Sequence, residues 1–298
     1  MYQMDVASLR ERHGKAVRAL ERCRLCPRGC GVNRRNGETG FCGAGISLRV
    51  AAVSVHHGEE PPISGVHGSG TVFFSHCNMK CIFCQNYPIS QLGVGERMST
   101  EELGERLLGL ERKGAHNVNF VTPTPHVPQL IGAVAAAREK GFALPVVYNS
   151  NGYDSPEALA LLEGVVDIYL PDVKYVSPRL AEDVSATSDY PAHNAAAVSE
   201  MFRQVGPLSQ GEDGIARKGV LLRHLVIPGK GDETEKVLAR LRETYGPQVP
   251  LSLMGQYFPA YQAASVPGLD RRLAPDEYER AVETARRLGL DNVFLQEM

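Results

Sequence analysis

From residue 71 to residue 295 the sequence repeats one alternation: a short apolar run, a turn-forming segment, then a stretch long enough for a helix. The apolar runs fall at 71–74, 117–121, 145–149, 166–170, 219–227, 250–256 and 292–295. Helical stretches fall between them at 99–114, 127–140, 155–164, within 178–205, 232–246 and 275–288. Ser99 with Glu102 forms a capping-box pattern, and Ser155-Pro156-Glu157 places a cap before a first-turn proline. Strands that alternate with helices pair in parallel through right-handed crossovers. The pattern therefore predicts an α/β fold of six strand–helix repeats and a terminal strand. Periodicity alone leaves open whether the sheet closes.

The first run, Thr71 to Phe74, leads into a loop with Cys77, Cys81 and Cys84 spaced Cys-x3-Cys-x2-Cys. Soft thiolates this close in sequence converge on one metal centre with only a local backbone turn. An iron–sulfur cubane takes four thiolates, so three leave one iron open to a substrate or cofactor. The alternative is a zinc site completed by His76.

A second group, Cys23, Cys26, Cys30 and Cys42, lies upstream among Gly29, Gly31, Gly37 and Gly40. Four thiolates close a coordination sphere, which reads as structural zinc or as an auxiliary iron–sulfur cluster. The two groups account for all seven cysteines, and this clustering argues for metal ligation in a reducing compartment over disulfides. A charged helix is expected over 5–22 and a strand over 46–55. A Gly/Pro/His-rich loop follows over 56–70, with His56, His57 and His67 unassigned. The net charge of −2 gives no basic field for nucleic acid. No apolar run reaches membrane-spanning length, and residues 1–12 lack a signal peptide's apolar core, so a cytoplasmic protein with no membrane partner is expected.

Cys-x3-Cys-x-aromatic-Cys at the end of a first strand resembles the signature of the radical S-adenosylmethionine (radical SAM) enzymes. The resemblance implies a partial (βα)6 TIM-type barrel with a Cys-rich N-terminal extension, divided as an arm over 1–69 and a barrel over 70–298. It implies a [4Fe-4S] cluster on Cys77, Cys81 and Cys84, whose open iron chelates SAM. Reductive cleavage of SAM would then give a 5′-deoxyadenosyl radical that abstracts hydrogen from a substrate. Phe83 stands where the family places an aromatic ring near the adenine.

Barrel enzymes carry their chemistry at the carboxyl ends of the strands, and this chain is polar or turn-forming there. Three such segments resemble the activating enzymes of pyruvate formate-lyase type. They are Asn149-Ser-Asn-Gly152, the Asp172-Val-Lys174 stretch, and Arg223 followed by Pro228-Gly229. The resemblance implies that Asn149, Asn151, Asp172, Lys174 and Arg223 line the SAM pocket. The subgroup's Gly-Gly-Glu turn is missing, and Thr122-Pro-Thr124-Pro-His126 stands in its place. A Thr122 or Thr124 hydroxyl, a prolyl carbonyl or His126 is expected to accept the lost hydrogen bond, with His126 otherwise read as the N-cap region of the following helix. Gln256, Tyr257 and Tyr261 are candidates to face substrate. The implied partners are an electron donor such as flavodoxin or ferredoxin and a protein substrate, for instance a glycine made into a glycyl radical. The alternatives are a peptide, RNA or small-metabolite substrate, or a non-enzymatic zinc or iron–sulfur scaffold.

Overall fold

The computed structural model describes residues 4–296. Helix α1 (Val6–Ala19) leads into the first cysteine group, and β1 (Leu48–His56) follows. A four-residue helix α2 (Pro61–Ser64) precedes β2 (Ser69–Phe74). After the second cysteine group come α3 (Tyr87–Ser90), β3 (Glu96–Met98) and α4 (Thr100–Arg112). The alternation continues with β4 (Val118–Val121), α5 (Val127–Arg138), β5 (Val146–Ser150), α6 (Pro156–Leu162) and β6 (Ile168–Pro171). Helices α7 (Pro178–Ser185) and α8 (Tyr190–Val205) occupy the next interval. The chain then forms β7 (Ser209–Gln210), β8 (Ala216–Val220), β9 (Leu222–Leu225) and α9 (Gly231–Tyr245). It finishes with β10 (Leu251–Met254), α10 (Pro275–Arg287) and β11 (Val293–Leu295). Among the described residues no helix is long and apolar enough to cross a membrane.

The expected class is observed. Strands β2, β4, β5, β6 and β8 pair in parallel in that order, and β9, β10 and β11 form a second parallel ladder. A single bridge between Asp172 and Arg223 joins the two ladders. The expected strand over 219–227 is thus divided at Leu221, whose N–H still donates to Tyr169 O. No ladder joins β11 to β1 or β2 among the described residues, which leaves the barrel partial. Strand β1 enters the same sheet antiparallel to β2, and β3 and β7 add short antiparallel edges. These pairings connect segments whose local pattern does not announce a partner.

Side chains alternate across a strand, so each parallel strand has one face toward the helices and one toward the lumen. Val146 and Tyr148 of β5 pack under helices, whereas Val147 and Asn149 face inward. The lower lumen is filled by Ile63 of α2 with Val147, Ile168, Leu170, Ala216 and Leu221. Helix α2, which lies in the segment expected as loop, is the stopper of the barrel. The Asn117 side chain ties it down through Ile63 O at 2.8 Å.

Candidate functional site

Above the stopper the lumen opens into a cavity of ≈ 370 Å³, within the range of small-molecule sites. Cys81, Phe83 and Cys84 line its rim, and Asn149, Asp172, Lys174 and Arg223 line its wall. Strand β2 delivers the cysteine loop to the carboxyl ends of its parallel neighbours, where the sequence places it.

Each of the three thiols has a polar neighbour. Ser185 Oγ donates to Cys81 Sγ at 3.0 Å, and Ser90 Oγ lies 3.1 Å from Cys84 Sγ. Met79 N and Asn151 Nδ2 each donate to Cys77 Sγ at 3.4 Å. Burial, then the nearby Cys81, pushes the Cys77 thiol up to about 12, and burial raises Cys81 as well. Such thiols stay protonated at neutral pH unless a metal takes the place of the proton. Three thiols with no fourth protein donor among the described residues, beside a polar cavity, fit a cubane with one open iron. Hydrogen bonds of the kind seen here tune cluster sulfurs.

His76, the fourth ligand a zinc site would need, is turned elsewhere. Its φ is +74°, and its ring packs beside Gly43 and Gly93. Among the described residues no three Cys, His, Asp or Glu side chains close on a point as ligands of a single metal ion.

A chain of polar side chains runs down the wall. Lys174 Nζ donates to Asp172 Oδ2 at 2.6 Å, and Arg223 Nη2 lies 2.9 Å from Asp172 Oδ1. Arg223 Nη2 also donates to Asn149 Oδ1 at 2.7 Å, and Asn149 Nδ2 points at Glu59 Oε2, 3.5 Å away. Burial alone would raise the Asp172 carboxyl, but Arg223 and Lys174 outweigh it and hold Asp172 below the ordinary carboxylate range. Burial works against the Arg223 and Lys174 cations, yet Asp172 keeps both firmly charged. With both carboxylate oxygens engaged, Asp172 serves to aim the two cations.

Some of the expected residues lie elsewhere. Thr124 is buried, and its hydroxyl donates to Asp154 Oδ1 at 2.8 Å, behind the sheet with Tyr148 and Ser150. The Asp154 carboxylate captures it, so Thr124 does not reach the cavity. Thr122, at φ +57°, and Asn151 are also outside the cavity lining. Asn151 instead braces the cysteine loop through Asn78 Oδ1 at 2.7 Å. His126 is buried against Phe74 with Nε2 3.0 Å from Ser75 O, so it cannot replace the missing turn. Gln256 lines the cavity, while Tyr257 donates to Leu269 O beneath Phe83 and Tyr261 stacks on Tyr87.

Sequence reasoning missed His56, Glu59, Glu60 and Gln296, all on the cavity wall. Gln296 follows from alternation beyond β11. The two glutamates carry no signal, because adjacent acids before Pro-Pro read as a solvated turn.

The upstream cysteines are all free thiols, held in a module that docks behind the loop. Arg28 donates to Asn78 O at 3.2 Å and stacks over Phe41, and buried Arg34 donates to Pro125 O at 2.8 Å. Burial pushes Cys26 up to about 12 and raises Cys42.

The family model described as Radical SAM superfamily matches residues 71–241. An uncharacterized protein of Methanocaldococcus jannaschii is 32% identical over 289 residues, covering 94% of this chain and 78% of that protein. A second uncharacterized protein of the same organism is 25% identical over 290 residues, with coverage of 91% and 78%. Among solved structures, methylornithine synthase superposes with a TM-score of 0.48 at 13% identity, covering 99% of this chain and 82% of that one. Streptococcus suis SuiB bound to S-adenosylmethionine superposes with a TM-score of 0.47 at 12% identity. It is covered over 47% of its length by 74% of this chain.

Proposed function

The chain belongs to the radical SAM superfamily, and on that premise we propose that Cys77, Cys81 and Cys84 hold a [4Fe-4S] cluster and that the lumen above α2 binds SAM and substrate. When bound, the cluster and SAM would supply reductive sulfonium cleavage and the 5′-deoxyadenosyl radical that abstracts hydrogen from substrate. The observation that carries this reading is that Cys81 and Cys84 face the same cavity as the Lys174–Asp172–Arg223 chain.

In this reading the protein's own side chains bind and orient. Lys174 uses one of its three donors on Asp172, so two remain for the SAM carboxylate. Asp172 positions Lys174 and Arg223, and Asn149 steadies Arg223. Phe83, propped by Tyr257 at 5.8 Å, offers its ring to the adenine. The walls keep water from the reactive atoms. Thr122, Thr124 and Asn151 act outside the cofactor pocket, with Asn151 as a brace for the Cys77 segment.

The narrower reading is an activating enzyme of pyruvate formate-lyase type, supported by the Asn149–Gly152 turn, the Asp172–Lys174 pair and the Arg223 segment. That reading includes a protein glycine as substrate, a flavodoxin or ferredoxin as electron donor, and work in the cytoplasm. It also assigns residues 1–69 to an arm whose Cys23, Cys26, Cys30 and Cys42 bind zinc or an auxiliary cluster, and residues 70–298 to the barrel. The test is anaerobic reconstitution with iron and sulfide, reduction, addition of SAM and assay of 5′-deoxyadenosine. Product formation is expected. A bound, reducible cluster that neither binds nor cleaves SAM overturns the reading.

A further inference from the structure

Below the Lys174–Asp172–Arg223 chain, the floor of the cavity has a chemistry of its own. Glu59 and Glu60 rise from the residues just before α2 into the lumen. Glu60 is 2% exposed, and its Oε2 makes no hydrogen bond among the described residues. Its Oε1 stands 3.9 Å from Arg223 Nη1, beyond hydrogen-bond distance. A buried carboxylate oxygen left in this state is costly, and native structures retain few of them.

The neighbouring wall repeats the pattern. Asn119 of β4 shares the lumen face with Val121, and both the oxygen and the nitrogen of its amide are buried without a partner among the described residues. Gln296 Oε1, also on the cavity wall, is buried without a partner among the described residues. Of these unsatisfied atoms, Glu60 Oε2, Asn119 Oδ1 and Gln296 Oε1 are acceptors, and Asn119 Nδ2 is a donor. They stand on three separate elements, the segment before α2, β4 and the residue after β11. The charges point the same way: Asp172, Glu59 and Glu60 face Lys174 and Arg223, both aimed at Asp172, while His56 at the exposed edge lies 3.5 Å from Glu59 Oε1. An anionic group would meet Glu59 and Glu60 at this depth, whereas a group rich in donors would satisfy the three orphan acceptors.

We propose that the floor formed by Glu59, Glu60, Asn119 and Gln296 is a substrate subsite for a cationic, donor-rich group, an alkylammonium or guanidinium carried by the substrate. The proposal rests on the reading of this cavity as the active site and narrows its substrate to amines and guanidines, free or as basic side chains. A guanidinium presents five N–H donors in a planar fork, and an ammonium three. Either can address Glu60 Oε2 and a second acceptor together.

The test is calorimetric titration of the full reconstituted protein with butylguanidine, butylamine and, as the neutral comparison, 1-pentanol. The expected result is that one of the cations binds at least tenfold more tightly than pentanol, and that Glu60→Gln removes the preference. Equal binding of the cations and the alcohol by the wild-type protein overturns the proposal, and needs no variant to fold. A preference that survives in Glu60→Gln overturns it too. Assay of 5′-deoxyadenosine with the same wild-type sample separates the two levels. Cation preference with a reducible cluster that neither binds nor cleaves SAM supports the subsite and overturns the functional reading; SAM cleavage without cation preference overturns the subsite alone. Binding of N-acetyl-lysine methylamide in place of the free amines supports the subsite with a peptide-borne cation.

Discussion

Asp172 and Arg223 are joined twice. Their side chains meet at 2.9 Å, and their backbones form the bridge between the two parallel ladders, with Val173 N–H donating to Arg223 O at 2.7 Å. One contact therefore fixes the barrel's curvature and the charge pattern of its lumen.

Asp172→Asn removes the anion and leaves Lys174 and Arg223 facing each other in a buried site. Breaking a buried pair in this way costs about 3–5 kcal/mol, to be read from urea unfolding at pH 7. Because the folded carboxyl sits below its ordinary value, its stabilisation is present above the unfolded pKa and is lost as pH falls through the folded one. The difference between wild type and variant should persist from pH 5 to 8 and shrink only below about pH 4. A variant equal to wild type at pH 7 would show that the pair contributes nothing.

Gly152→Ala acts on the same contact from behind. Gly152 has φ +71°, and a Cβ there would stand 2.4 Å from Asp172 O and 2.2 Å from Asn194 Nδ2. The substitution should destabilise by more than about 1 kcal/mol and weaken SAM binding by displacing Asp172. Thermal unfolding and SAM titration of one sample check both effects.

Cys81→Ala should abolish 5′-deoxyadenosine formation and remove about four irons per chain, while leaving in place the metal proposed for Cys23, Cys26, Cys30 and Cys42. Metal analysis beside the product assay decides it. Full activity in this variant would sink the cluster assignment.

His126 gives the protein an acid-sensitive core. Burial, then the nearby Arg34, pushes its pKa from 6.5 down to about 3. Nε2 holds the proton toward Ser75 O, and among the described residues no acceptor faces Nδ1 to receive a second one. The folded pKa is depressed, so the unfolded chain binds the proton first, and stability falls as pH drops from about 6.5 toward 3. The linkage is limited to about 5 kcal/mol. His126→Gln should flatten the stability–pH curve across that window, as followed by urea unfolding, and an unchanged slope would assign the acid sensitivity elsewhere.

Both cysteine groups, the strand–helix alternation and the positions of Asp172, Lys174 and Arg223 can be read in the sequence, because local spacing or a strand end determines each of them. Thr124 cannot be read this way. It sits at a strand end like the others, but Asp154, 30 positions downstream, takes its hydroxyl. Glu59 and Glu60 are hidden for a similar reason, since only the docking of Ile63 among Val147, Ile168 and Leu221 carries them into the lumen. Strand β1 lacks clean alternation because it bulges between Val50 and Ala52 against β2.

The stopper also governs traffic. With Ile63 filling the lower lumen, Glu60 is not approached from below, and one approach runs past Cys84, Gln85 and Gln256 at the rim. A floor ligand that enters from the rim arrives before a second ligand fills the space above it, and leaves after that ligand has gone. Entry from that side imposes a queue: the group on Glu60 is first in and last out, and trapping of a preloaded floor ligand by SAM would be its kinetic signature.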